Sequence, residues 1–158
     1  MIPRKPMSSN FKKQRSSQAK RRGASIVEFA LIVPVVLAIL LGILESAWMS
    51  KNYLSVANAA REGARSAALG KTTTVIRTRV QNAAAPVNVP AANIVLAYSS
   101  DNGATYVAMG DSGTQNSAPG GSMARVTASI THQSLTRFFP FLNNRTIAVA
   151  VVMRREAT

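Results

Sequence analysis

The chain has no cysteine, which excludes a disulfide framework, a thiolate metal site and a cysteine nucleophile. Its one histidine, His132, lies among hydroxyl residues with no carboxylate nearby in sequence. Neither a catalytic triad nor a histidine-rich metal site can be written from it, and a structural role is expected. Acids are scarce, six Asp and Glu against nineteen Lys and Arg. Glu28, Glu45 and Glu62 are strung along one stretch and not gathered into a pocket. Asp101 and Asp111 lack the alternating oxygen ligands of a calcium loop, so turn chemistry accounts for them. No G-x-x-x-x-G-K-[ST] loop and no G-x-G-x-x-G fingerprint occurs. These absences argue against an enzyme, a cofactor, a metal or a small-molecule substrate.

The net charge of +13 is unevenly spread. Arg4, Lys5, Lys12, Lys13, Arg15, Lys20, Arg21 and Arg22 precede Gly23 with no acid among them. Such a tail is either a nucleic-acid arm or the cytoplasmic flank of a membrane helix. The apolar run begins directly after it, and clustered Lys and Arg hold that side of a span in the cytoplasm. Only Phe11 supplies an aromatic for stacking, so no nucleic-acid partner is expected.

Residues 24–44 carry a single charge, Glu28. As an α-helix they would extend about 32 Å, matching a hydrocarbon layer of about 30 Å. A cleaved secretory signal would have a shorter apolar core and a small-residue cleavage site, whereas Glu45 follows here at once. Pro34 should loosen or kink the span. A carboxylate at the head of such a run is costly and needs a reason. If the chain is cut after Gly23, Glu28 lies one helical turn from the new Ala24 ammonium.

Helical character continues past Trp48 to about residue 69, with Gly70 as the C-terminal capping glycine. Unbroken from Ala24, this helix would be roughly 70 Å long. Ala59, Gly63 and Ala67 form one row of small residues, and Ala60, Ala64 and Ala68 another. Such rows allow close backbone approach, either to the protein's own sheet or to other subunits. Arg61, Glu62 and Arg65 lie beside them. A Glu62 to Arg65 pair, a solvated stripe and an intersubunit contact are all open.

The segment Gly23-Ala24-Ser25-Ile26-Val27-Glu28-Phe29-Ala30-Leu31 with Pro34, followed by Ala60-Arg61-Glu62-Gly63-Ala64-Arg65, resembles the TadE-like family, the minor pilins or pseudopilins of the tight adherence pilus. The resemblance implies a single-pass protein of the bacterial inner membrane, with its N-terminus cytoplasmic and its C-terminal domain periplasmic or extracellular. It implies cleavage by a prepilin peptidase between Gly23 and Ala24, with Glu28 as the subunit-pairing charge. Ala59, Ala60, Arg61, Glu62, Gly63, Ala64 and Arg65 would form a helix-packing or interface surface. The implied partners are the membrane, the peptidase, other pilin subunits and the pilus secretion machinery.

The expected organisation is a basic leader at 1–23, a transmembrane helix at 24–48, a small-residue extension at 49–70 and an extracytoplasmic α+β domain at 71–158. In that domain Thr72, Thr73 and Thr74 offer capping hydroxyls for a helix whose buried face is Ile76, Val80, Ala83 and Ala84, closed by Pro86. Residues 93–98 read as a strand, turned by Asp101-Asn102-Gly103 into 105–109. Residues 110–121 read as a polar loop. Residues 123–131 alternate as a half-buried strand. Residues 146–153 are apolar on both faces, as suits a central strand or one covered by the long helix. Between the last two strands an aromatic knot, residues 135–142, is expected to plug the sheet edge or core; its alternative place is a membrane surface or a partner. The expected class is α+β: a long N-terminal transmembrane helix continuing into a pilin-like domain with a small antiparallel sheet.

Overall fold

The computed structural model describes residues 10–136 and 138–156, with side chains from residue 25 onward. The fold is α+β, with a long apolar N-terminal helix followed by a small antiparallel sheet. The chain divides into two units between Ile43 and Leu44.

Helix α1 spans Asn10–Ala68 and contains Pro34 without ending there. It begins earlier than the expected Ala24. Lys, Arg, Gln and Ala are good helix formers, and between Asn10 and Pro34 Gly23 is the poorest. In the first unit the apolar side chains are turned outward, with Phe29 69% and Leu31 71% exposed. Among the described residues one helix is long and apolar enough to cross a bilayer.

The second unit has its own core. Val56, Ala59, Ala60, Ala64 and Ala67 of α1 are buried with Ile76, Val80 and Ala84 of α2 (Thr73–Ala84). These meet the inner face of a sheet of β1 (Ile94–Ser99), β2 (Val107–Ala108), β5 (Met123–His132) and β6 (Arg145–Arg154), ordered β2-β1-β5-β6 and antiparallel throughout. Leu96 of β1 faces Val126 of β5, which faces Val151 of β6. The period-two pattern places Ala124, Val126, Ala128 and Ile130 inward, as the alternation demands.

The end of α1 is a Schellman motif. Gly70, at φ 73°, donates its N–H to the Ala67 carbonyl, and Lys71 donates to Ser66. The positive φ is why glycine stands there.

Two expectations need correction. The threonine hydroxyls do not cap α2; Asp111 does, accepting from the Thr73 N–H at 2.6 Å and the Thr73 hydroxyl at 2.8 Å. A carboxylate also suits the positive end of the helix dipole. The segment expected as a loop contains a short hairpin, β3 (Asp111–Ser112) with β4 (Gln115–Asn116). Of the two places open to β6 the central one is excluded, since its sheet neighbour is β5 alone, while Ile147, Val149, Val151 and Met153 pack on the core. Its alternate residues face outward, Val152 among them.

Candidate functional site

The segment expected to be cleaved lies in the first unit. Gly23 and Ala24 are within the helical run of α1, and Glu28 is exposed one turn later. Glu28 stands on a helix whose neighbouring Ile26, Val27 and Phe29 are also exposed.

The small-residue segment is divided by face. Ala59, Ala60, Gly63 and Ala64 are buried against the unit's own α2 and sheet. A Cβ on Gly63 would run into the Val80 side chain and come to 3.1 Å of Val126 Cγ1, so the missing side chain sets how closely α1 approaches α2 and β5. Arg61 and Arg65 are exposed. Glu62 pairs with Arg79 of α2 at 3.8 Å, and Arg61 donates to Asn58 on its own helix. Both are largely solvated contacts, which contribute little.

A third constellation was not legible as a site. Glu45 is completely buried. Its carboxylate accepts from the Leu135 N–H at 3.1 and 3.0 Å, from the Thr136 N–H and hydroxyl at 3.3 Å each, and from His132 Nε2 at 3.4 Å. The amide nitrogen of Asn52 lies 3.3 Å from His132 Nδ1. An amide nitrogen only donates, so Nδ1 accepts and the ring proton sits on Nε2, aimed at Glu45. The lone histidine therefore has a carboxylate partner, 87 residues away in sequence.

The missed signal was parity. Extending the β5 alternation one residue past Thr131 puts His132 on the buried face, and a buried imidazole needs partners. Both ring nitrogens are occupied and neither His132 nor Glu45 reaches solvent. The pair has no free atom to offer a substrate. It acts as a latch between α1 and the β5–β6 loop.

That loop is also a correction. The aromatic knot does not fill the core: Leu135, Phe138 and Phe141 are 53%, 55% and 62% exposed.

Arg155 is a further buried charge, held among the described residues by carbonyl and amide oxygens. Its guanidinium donates to the Asn116 carbonyl and side-chain oxygen at 3.1 and 3.0 Å and to Gln115. Asn116 in turn donates to the Ala67 and Lys71 carbonyls, and the Glu156 N–H to Ala68. The cation thus sits beside the C-terminal end of α1, where the helix dipole favours it. Among the described residues no group of three or more His, Cys, Asp or Glu side chains could hold a metal.

Comparison with curated proteins and with solved structures finds no match. The family model for TadE-like proteins matches residues 23–65. This segment begins at the glycine before the apolar run and ends on Arg65, so it contains both motifs that carry the resemblance. The family association, with the single outward-facing apolar helix, suggests a membrane-anchored protein related to the tight adherence pilus. Over residues 23–65 the chain is similar to TadE-like proteins.

Proposed function

We propose that the chain is a minor pilin or pseudopilin of a tight adherence pilus, held in the bacterial inner membrane by residues 24–48 with its N-terminus cytoplasmic and residues 71–158 outside. The observation that carries this reading is the family match beginning at Gly23, directly before an uncovered apolar helix headed by Glu28. A prepilin peptidase would cut between Gly23 and Ala24. The new ammonium would then be available to Glu28 of a neighbouring subunit. In a low-dielectric surrounding that attraction is far stronger than in water, and aligning the two groups sets an axial stagger of about 6 Å. Without such a partner, Glu28 would have to reach for water at the bilayer edge.

Replacing the charge tests the pairing. Glu28→Gln keeps the shape and removes the charge, so membrane insertion should persist while incorporation into fibrils falls. Unchanged incorporation would contradict the reading.

One observation favours a second reading. Helix α1 passes through Gly23 and Ala24 without a break, and a peptidase needs extended backbone at the bond it cuts. An uncleaved bitopic scaffold of the secretion machinery keeps that helix whole. The scaffold would leave fibril assembly indifferent to Glu28→Gln, so the same variant separates the two.

A further inference from the structure

We propose that the loop between β5 and β6 is a second membrane contact: Phe138, Phe141 and Leu135 enter the headgroup layer of the leaflet from which residues 24–44 emerge, and the buried Glu45 carboxylate holds the loop there. The inference rests on the single-span reading of α1.

Two independent features meet in this loop. The first is its apolar surface. Leu135, Phe138 and Phe141 are each more than half exposed, and the three rings form one cluster, Phe139 standing edge-on to Phe138 at 5.1 Å and to Phe141 at 5.8 Å between centroids. Three neighbouring large apolar side chains facing water are an interaction surface. Aromatic rings in particular favour the membrane interface.

The second is where the loop is fastened. Glu45 is the residue after Leu44, the last of the apolar run. Both oxygens of its carboxylate accept the Leu135 N–H, and one also takes the Thr136 N–H. At 1.5 Å of rise per helical residue, the fastening point is within one residue of the end of the run. The loop is therefore tied to the chain at the level where the apolar run leaves the hydrocarbon. This follows from connectivity alone.

The surroundings carry interface chemistry as well. Lys51 Nζ lies 4.6 Å from the centre of the Trp48 ring, one turn beyond Glu45 on α1. Arg145 closes the other end of the loop by donating to the Phe141 carbonyl at 2.8 Å. Exposed cations beside an aromatic cluster fit a surface bearing lipid phosphates. A carboxylate buried at this position would otherwise serve to hold apolar side chains out in water.

The chain has no cysteine, so single cysteines can carry a nitroxide without background. The full chain is reconstituted in phosphatidylethanolamine and phosphatidylglycerol vesicles with the label at Phe138→Cys, Phe141→Cys, Leu37→Cys within the span, or Asn102→Cys in the β1–β2 turn. Spin relaxation by dissolved oxygen and by a water-soluble nickel chelate then reports depth. The expected result is several-fold less nickel accessibility and more oxygen accessibility at 138 and 141 than at 102, unchanged when the protein is diluted in lipid.

Nickel accessibility at 138 and 141 equal to that at 102, with 37 shielded, overturns the loop contact and leaves the span standing. Shielding that disappears on dilution overturns it in favour of a second copy covering the loop. An aqueous signal at 37 removes the span and the loop contact together. Glu45→Ala adds a readout that a merely apolar loop would not give: the 141 label should regain nickel accessibility while the 37 label stays shielded and the 102 label keeps its wild-type mobility, which shows that the second unit remains folded. If the 141 label stays shielded, the latch role fails.

Discussion

Removing the Glu45 carboxylate would strand the Leu135 and Thr136 amides and the His132 Nε2–H, all of which it now accepts. Unsatisfied donors taken from water cost about 1–3 kcal/mol each. Glu45→Ala should therefore destabilise the unit beyond Leu44 by about 3 kcal/mol or more, read by denaturant unfolding in micelles. Glu45→Gln should cost less, because one oxygen remains as an acceptor. Equal stability of all three proteins would remove the latch.

Asp101 gives a residue-scale pH dependence. Hydrogen bonds from the Ser99 hydroxyl, the Thr105 hydroxyl and the Thr105 N–H hold its carboxyl well below the ordinary carboxylate range. A depressed folded-state pKa means stability that is present above the unfolded value of about 4 and is lost as pH falls below it. Acidification below that range should loosen the β1–β2 turn, seen as faster amide exchange at Thr105 after correction for intrinsic rates. Asp101→Asn should remove this acid dependence. Asp101-Asn102-Gly103 was legible as a turn from its residue types, and Asn102 and Gly103 adopt positive φ there. Glu45 and His132 were not, because no local signal joins residues so far apart.

Among the elements, α1 and α2 depend on the vacancy at Gly63. Helix propensity alone would favour Gly63→Ala by about 0.8–1 kcal/mol. The added Cβ runs into Val80, so overpacking of about 1–3 kcal/mol should win and the variant should be less stable. The closest approach is to Val80, with Val126 a lesser one, so in a Val80→Ala background the same change should cost less, a coupling that a double-mutant cycle measures. The Asp111 cap predicts that Asp111→Ala lowers stability by about 1 kcal/mol, whereas Thr72→Ala leaves it nearly unchanged.

Element types were readable because their periods are clean: the β5 alternation, the 3.6-period face of α2 and the capping glycine after α1. Strand order was not. The β6 sequence is apolar on both faces, which elsewhere marks a central strand, yet its place in the sheet depends on non-local pairing with β5. The loop aromatics misled in the same way. Hydrophobicity says that a side chain avoids water, without saying whether it turns inward or toward a lipid surface.

On the scale of the whole molecule, the apolar helix surface and the basic segment before it are arranged as a membrane anchor requires. The second unit folds around its own core, so α1 contributes small residues to that core at one end and an uncovered apolar surface at the other. The boundary expected from sequence lies between residues 48 and 49, where the large aliphatic run gives way to a small-residue extension. The proposed function turns on cleavage between Gly23 and Ala24 by a prepilin peptidase. The direct measurement is the intact mass of the protein purified from cells with and without that peptidase. Processing predicts a chain beginning at Ala24 only in cells that have the enzyme. A chain beginning at Met1 in both would contradict cleavage and leave the uncleaved scaffold.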